Sequence, residues 1–403
     1  MTVEKSLRRL QSAVRARQPP FSSVLELAGD DGVPRFSTRY VGGAVGWLRL
    51  VRNQVDAMHA ASADVAADPR FEHMKSRDVE EALWRLAADA IRDRSTRHDL
   101  RFIEEHAVEP ITATCHFAIV GLTVESPVEI CGAVLMPPEH APPGPSWPDG
   151  APVDAVIAAE CRGTDGRAMM ERARSACEHA LRALRAVLGS ERFVHDSQLR
   201  FHIGTSYWFS EGGGGWKSSP DAIRALNASA DLATRVQTSP LSRLPCAGGT
   251  GVEKAAARAL EWIDRAQLEL TPVVKMLFAC FALEALLGDR ADGLKGQKIA
   301  VRRAVLGHAH SGAFAHPLRA YVLYDQVRSA AVHGEEIPDA SEKDLRLFVE
   351  DVRRAISEFV EFAATRDIAK RGELLRQLDH DPAAEGIRAN FLGVFPAVDQ
   401  VAE

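Results

Sequence analysis

The stretch that decides the fold is "PVVKMLFACFALEALL", residues 272–287. It begins with Pro272, which suits the first turn of a helix, and Thr271 before it is a residue type that commonly caps a helix N-terminus. Nearly all the remaining residues are apolar, so the helix is apolar around its circumference and not only along one stripe. A helix of this kind is usually surrounded by other elements. We therefore predict that it lies in the middle of a helical bundle.

One carboxylate interrupts this helix. Glu284 lies beside the stripe that Leu283 and Leu287 form. Burial of an ionised carboxylate costs free energy unless a cation or water compensates for it. Two interpretations follow: Glu284 is a helix-end acid that reaches water or pairs with a structural arginine, or it belongs to a functional site in a cleft.

After residue 250, apolar residues recur at helical spacing, and this pattern predicts a largely helical domain. The predicted helices are 252–269, 272–287, 296–306, 316–333 and 341–365. We assign residues 252–370 to this bundle and 371–403 to a C-terminal tail.

The hydrophobic pattern of the first 250 residues predicts an α+β region with a small central sheet. Helices are predicted at 39–61, 76–93 and 165–189, strands at 111–124, 128–137 and 153–161, and a strand pair at 198–211. Three loops are predicted, at 137–153, which is rich in proline, and at 210–221 and 243–251. The fold class is therefore a mainly helical α+β protein, with a central α/β region before the C-terminal bundle.

Composition narrows the class of protein. The chain has 403 residues, 46% of them hydrophobic and 26% charged, which is typical of a packed globular protein. The six cysteines include no C-x-x-C pair, which favours reduced thiols and a cytoplasmic location. No apolar run is long enough to cross a membrane, and the N-terminus does not resemble a secretory signal.

Charge is unevenly distributed near the C-terminus. Residues 288–334 carry seven Lys or Arg against three Asp, whereas residues 335–362 carry nine acids against four bases. A basic segment in a protein with net charge −6 can face phosphate groups. Alternatively, these cations pair with the acidic last helix.

The segment "LYDQVRSAAVHGEE", residues 323–336, combines an apolar helix with two polar side chains. Arg328 and His333 are separated by four residues, and Gly334 is a typical helix terminator. An imidazole titrates near neutral pH, and a guanidinium binds phosphate oxygens in a fork. The pair is therefore a candidate for phosphate chemistry.

Two other signals predict no cofactor. "EGGGGWKSS", residues 211–219, lacks the glycine that a phosphate-binding loop needs before its lysine. His308, His310 and His316 cluster in sequence, but without the spacing of metal ligands on a helix. We predict neither a metal nor a cofactor.

Three segments together resemble the HEPN superfamily, and most closely the branch found in ApeA-type bacterial anti-phage proteins. They are "FALEALLG" (281–288), "KIAVRRAVLG" (298–307) and "LYDQVRSAAVHG" (323–334). The superfamily hallmark is an arginine, four to six residues and a histidine near a helix end in a four-helix bundle. The resemblance covers 252–365, under a third of the chain.

The resemblance implies a metal-independent endoribonuclease that acts in anti-phage defence or toxin-like growth arrest. Arg328 would hold the phosphate, His333 would transfer protons at the ribose 2′-hydroxyl and the leaving oxygen, and Glu284 would orient one of them. Two copies would form a composite site in a homodimer, with RNA such as tRNA as substrate. The expected RNA contacts are Lys295, Lys298, Arg302, Arg303, Tyr324 and Ser329.

The resemblance also leaves an alternative open. Active members often have Asn, Asp or His directly after the arginine, where this chain has Ser329. Some HEPN domains bind RNA or nucleotide, or only dimerise, without cleaving. Residues 1–250 would sense a trigger or restrain the nuclease, and no residue among them identifies that trigger.

Overall fold

The protein is a mainly helical α+β protein with a small antiparallel sheet, as the sequence predicts. The computed structural model describes residues 2–16, 36–42, 46–141, 153–189, 199–210, 213–217, 226–228, 231–289, 295–312, 324, 328 and 342–392. Contacts divide the chain into two compact units, Met1–Ala113 with Cys161–Arg172, and Thr114–Glu160 with Ala173–Glu403. This division differs from the predicted boundary near residue 250.

The first unit consists mainly of helices that pack against one another, with a small hairpin beside them. Its elements are α1 (Val3–Arg15), β1 (Phe36–Gly42), β2 (Gly46–Val51), α2 (Arg52–Ala67), α3 (Ser76–Arg92) and α4 (His98–His106). Leu7, Leu10, Leu83 and Phe71 are almost completely buried in one apolar core, because the helices each present an apolar stripe to it. The prediction of a helix over 76–93 is confirmed.

The predicted helix over 39–61 is wrong in its first half. Residues 36–51 form an antiparallel hairpin in which Tyr40 pairs with Trp47 and Gly42 with Gly46. Only from Arg52 does the chain become helical. Glycines disfavour a helix, and the aromatic and β-branched residues beside them favour strands, so the local propensities outweigh the apolar spacing.

A six-stranded sheet, most of whose residues belong to the second unit, has the strand order β5-β6-β7-β3-β8-β9. The strands are β3 (Ile111–Val120), β5 (Val128–Ile130), β6 (Ala133–Met136), β7 (Ala155–Gly163), β8 (His202–Ser210) and β9 (Gly213–Lys217). Two short strands, β4 (Leu122–Thr123) and β10 (Leu226–Asn227), form a separate parallel pair. The predicted strand 153–161 is confirmed, the prediction over 111–124 divides at Gly121 into β3 and β4, and 128–137 is a hairpin. The predicted strand pair over 198–211 is wrong, since the described part of that segment contains the single strand β8. The predicted loop 210–221 contains β9, which pairs with β8 at the sheet edge.

Helix α5 (Gly166–Leu188) confirms the prediction over 165–189. Its apolar stripe is buried, at Met169, Ala173, Cys177, Ala180, Leu184 and Val187. Arg185 of this helix forms a buried ion pair with Asp264, with Nη2 3.1 Å from Oδ2. The ion pair joins the central region to the C-terminal helices within the second unit.

The remaining helices are α6 (Leu232–Thr238), α7 (Gly251–Leu268), α8 (Pro272–Leu287), α9 (Lys295–Ser311), α10 (Glu342–Thr365), α11 (Arg371–His380) and α12 (Pro382–Leu392). Helix α8 packs against α7, α9 and α10, which confirms its predicted place in the middle of the helices. The predicted tail, 371–403, contains α11 and α12, and both pack against α9. Of the predicted helix 316–333, only Tyr324 and Arg328 are among the described residues, and both have helical backbone.

Across the described ranges, none of the helices combines the length and the apolar character needed to cross a bilayer.

Candidate functional site

Glu284, the one acid of helix α8, is the acceptor for two side chains. The Arg328 Nη2 lies 3.3 Å from Glu284 Oε2, and the Tyr324 hydroxyl donates to the same oxygen at 3.2 Å. The Arg328 guanidinium also lies over the Tyr324 ring, 5.2 Å from its centroid. The structure therefore brings together three of the predicted site residues, and it supports the interpretation that the carboxylate holds the arginine.

The three residues lie at the border between the apolar core and a cleft. Tyr324 is 2% exposed, whereas the Arg328 and Glu284 side chains are 32% and 24% exposed. Burial and the nearby Glu284 charge raise the pKa of the Tyr324 hydroxyl, so it stays protonated and donates. Burial also raises the pKa of the neighbouring Cys280 thiol to about 12, which keeps it neutral.

Arg328 retains hydrogen-bonding capacity. Among the described residues, none accepts a hydrogen bond from its buried Nε. An unsatisfied buried donor costs free energy of about 1–3 kcal/mol. A phosphate oxygen is a strong acceptor for a guanidinium. Because the Arg328 side chain is 32% exposed, its solvent-facing part can bind an anion while Glu284 fixes the side chain.

The pair opens into a cleft of about 1100 Å³ within the second unit. Helices α5, α7 and α8 and residues 245–248 line it, together with Arg328 and Arg371. Trp262 and Phe281 form an apolar part of its wall, with ring centroids 5.2 Å apart in an edge-to-face arrangement. Lys254 and Arg258, both exposed on α7, supply positive charge.

Two other cations of the cleft have structural partners. Arg371 donates from Nε to the Leu286 carbonyl at 3.0 Å, and its Nη2 reaches the carbonyls of Glu284 and Gly288. It therefore satisfies acceptors at the C-terminus of α8, where a cation also opposes the helix dipole. Arg182 lies 3.8 Å from both Glu178 and Asp264.

The prediction that Arg302 and Arg303 contact RNA requires a correction. Arg302 is 3% exposed and pairs with Asp379 at 2.7 Å, while Arg303 is 8% exposed. Arg303 pairs with Asp351 at 2.8 Å and Glu358 at 2.6 Å. Both partners of Arg303 lie in α10. Arg303 therefore fits the alternative interpretation of the basic segment, in which its cations pair with the acidic helix that follows.

Charge compensation explains how Arg303 is tolerated in the interior. Burial by itself lowers the pKa of Arg303, but attraction to Asp351 and Glu358 outweighs that effect and raises the pKa. The two ion pairs leave the guanidinium no access to a phosphate in this conformation.

The other predicted RNA contacts differ in what the structure shows. Lys298 is exposed on α9, and Lys295 begins that helix. Tyr324 is buried against Glu284, so its ring does not face solvent. Ser329 and His333 lie outside the described residues.

The predicted histidine cluster is only partly described. His310 lies in the last turn of α9 with Nδ1 2.9 Å from Glu361 Oε2, and His308 precedes it by one half-turn. His316 lies outside the described residues. Among the described residues, no group of three His, Cys, Asp or Glu side chains is placed so that it could hold a metal ion.

Three cleft residues were missed by the sequence analysis: Lys254, Arg258 and Trp262. Their spacing of four residues places them on one face of α7. The four-residue spacing could have indicated this shared face. However, exposed helix faces with charged and aromatic residues are common, and only the position of the neighbouring α8 shows that this face borders a cleft.

No family model, no curated protein and no solved structure that was compared with the chain matches it.

Proposed function

We propose that the protein is a metal-independent endoribonuclease of the HEPN type that acts in anti-phage defence or toxin-like growth arrest. The observation that carries the proposal is the Arg328–Glu284 pair, with N–O distance 3.3 Å, at the border of the open cleft. A guanidinium held by a carboxylate is preorganised, so it can stabilise charge on a phosphate without first losing side-chain freedom.

The proposed reaction is a transesterification within RNA. His333 removes the proton from a ribose 2′-hydroxyl, whose oxygen attacks the adjacent phosphorus. The bond from phosphorus to the 5′-oxygen breaks, and that oxygen takes a proton from the protonated His333 or from its counterpart in a second copy of the chain. The products are a 2′,3′-cyclic phosphate and a 5′-hydroxyl.

The roles divide according to chemistry. Arg328 binds the phosphate and stabilises the charge that develops on its oxygens. Glu284 and Tyr324 position Arg328. Histidine suits the proton transfers because its ordinary pKa lies near neutral pH.

A second candidate is a non-catalytic module that binds RNA or nucleotide, or only dimerises. The specific observation that favours it is that Glu284 already neutralises Arg328. A paired arginine serves recognition of an anion as readily as catalysis, so the difference between the two candidates depends on His333.

The test is incubation of the purified protein with total RNA and with tRNA in the presence of EDTA, followed by end-group analysis. We expect cyclic phosphate ends from the wild type, and loss of cleavage of at least a hundredfold in His333→Ala and Arg328→Ala. Arg346→Ala, which removes an exposed cation from α10, is the matched control. Binding of RNA without cleavage, equal in wild type and His333→Ala, would instead support the non-catalytic module.

A further inference from the structure

The cleft extends beyond Arg328 and Glu284 along helix α7. Lys254 and Arg258 are exposed there, one turn apart on the face that lines the cleft. A separation of four residues corresponds to about 6 Å along a helix axis. This distance is comparable with that between successive phosphates of an extended nucleic-acid strand.

These two cations are not explained by pairing or by helix stability. In the described part of the chain, neither forms an ion pair with an acid, whereas Arg265 on the same helix pairs with Glu261 at 2.6 Å. Lys254 also lies near the N-terminus of α7, where the helix dipole disfavours a cation. Positive charge placed there, and left unpaired, is suited to an external anion.

The N-terminal amides of α7 do not provide this anion site. Thr250 and Glu253 form a reciprocal capping box, with Glu253 Oε2 accepting from the Thr250 amide at 2.7 Å and Thr250 Oγ1 accepting from the Glu253 amide at 3.2 Å. The carboxylate would repel a phosphate at that end. Phosphates would therefore contact the side chains of Lys254 and Arg258 further along the helix.

The cleft wall next to Arg258 is aromatic. Trp262 is one turn further along α7 and is partly exposed. It packs against Phe281 and Phe278, and the Arg265 guanidinium lies over its ring at 4.7 Å from the centroid, so a base would contact the exposed part of the wall that Trp262 forms with Phe281. Aromatic side chains beside a basic track are the recurring arrangement for unpaired bases, because every base has a flat apolar face to bury. A duplex keeps its bases stacked inside and cannot use such a wall.

We propose that this face of α7 binds a single-stranded RNA segment, with Lys254 and Arg258 on successive phosphates and one unpaired base against Trp262 and Phe281. The inference rests on the proposed function, since it names the substrate class of the cleft in which Arg328 lies. It places the nucleotides that flank the scissile phosphate along α7.

The experiment measures binding of a labelled ten-nucleotide single-stranded RNA by fluorescence anisotropy across a series of salt concentrations. All proteins carry His333→Ala so that the RNA stays intact. For single strands, each lost phosphate contact lowers the slope of log affinity against log salt by about 0.7. We expect Lys254→Gln with Arg258→Gln to lower that slope by about 1.4, and Trp262→Leu to weaken binding about tenfold with an unchanged slope.

Matched controls separate the site from general charge and from folding. Lys343→Gln with Arg346→Gln removes the same charge from two exposed positions on α10, and we expect the slope to stay as in the parent protein. Thermal melts identify any variant that fails to fold. Phe278→Leu, which loses the other packing partner of Trp262, reports on wall packing alone.

The outcomes distinguish this inference from the proposed function. Equal slopes for the α7 and α10 variants, or equal affinity for a duplex of the same sequence, would overturn the α7 site while leaving the nuclease proposal intact. Conversely, if the His333→Ala protein binds single-stranded RNA through α7 but the wild type releases no cyclic phosphate ends in the cleavage assay, the α7 site is retained and the nuclease proposal fails.

Discussion

The Arg328 guanidinium lies 3.3 Å from the Glu284 carboxylate, and the two residues come from segments 44 positions apart in the chain. Tyr324 donates to the same carboxylate oxygen. This arrangement satisfies the one acid of helix α8, and it also fixes the arginine that the resemblance assigns to the scissile phosphate. Glu284 can therefore have a structural role and a functional role at once. The two roles predict different effects of replacing Glu284 with a neutral residue.

Replacement of Glu284 by glutamine should separate binding of RNA from its cleavage. Glutamine keeps the shape of the side chain but removes the charge that attracts Arg328, so the guanidinium becomes more available to a phosphate and less precisely held. We expect RNA affinity to rise several-fold while the single-turnover cleavage rate falls at least tenfold, measured by anisotropy and by gel assay.

Tyr324→Phe is the matched control for that substitution. It removes one hydrogen bond to Glu284 but leaves the charge pair and the ring beneath Arg328. A smaller decrease in rate and no change in affinity are expected. If Glu284→Gln lowered affinity and rate together in a folded protein, Glu284 would contact RNA and would not position Arg328.

Arg302 and Lys298 should behave differently although both lie in the same basic segment. Arg302 donates to the Leu287 carbonyl at 2.7 Å and pairs with Asp379, whereas Lys298 is exposed. Removal of one member of a buried ion pair costs about 3–5 kcal/mol, and a typical surface substitution costs about 0.5 kcal/mol or less. Urea unfolding should therefore show a large loss of stability for Arg302→Met and almost none for Lys298→Met.

The same two variants test the corrected role of Arg302. At a temperature where both are folded, Arg302→Met should bind RNA with the salt dependence of the wild type. Reduced salt dependence with an unchanged unfolding midpoint would return Arg302 to the RNA-binding surface.

The ion pair between Arg185 and Asp264 should make the central region and the C-terminal helices unfold together. Both side chains are 8% exposed, and Arg185 also donates to the Phe201 carbonyl at 2.8 Å. Asp264→Asn leaves the guanidinium buried without its counter-charge, so we expect a loss of about 3 kcal/mol in one cooperative transition. Glu261→Gln, one turn earlier and exposed, is the control. Separate transitions for the central sheet and the C-terminal helices of the wild type, with only the latter shifted by Asp264→Asn, would contradict this coupling.

The sequence alone predicted those elements whose hydrophobic pattern fits a single structural environment. Helix α8 is apolar over most of its circumference, which predicts a place among other helices, and the apolar stripe of α5 predicts a face toward a core. The hairpin at 36–51 was missed because apolar residues at helical spacing also suit two short strands, and the decision depended on the glycines at 42 and 46.

The pairing of charges could not be predicted. Arg303 and its partner Asp351 are separated by 48 residues, and Arg302 and Asp379 by 77. A count of charges along the chain shows that cations and acids are available to each other, but only the packing of α9 against α10 and α11 decides which cations reach solvent. The same limit explains why Lys254 and Arg258, in a segment without excess charge, were not selected.

Acidification should destabilise the protein in part through His179. This residue is 4% exposed, and its Nε2 lies 3.1 Å from the Leu244 carbonyl, so Nε2 carries the proton in the neutral ring. Burial, and to a lesser extent the charge of Arg182, lower the pKa of His179. The unfolded chain, with an ordinary histidine pKa of about 6.5, therefore binds a proton more readily than the folded one.

The free energy of unfolding should accordingly fall as the pH decreases from about 7.5 through 6.5, and level off once the folded-state pKa has been passed. Burial also lowers the pKa of His106 and His116, so both contribute to the same slope. His179→Gln keeps a donor to Leu244 without a titrating ring, and urea unfolding at pH 7.5 and 5.5 should show a smaller difference than in the wild type. A variant with the full wild-type pH dependence would show that His179 accepts its proton in the folded state as easily as in the unfolded one.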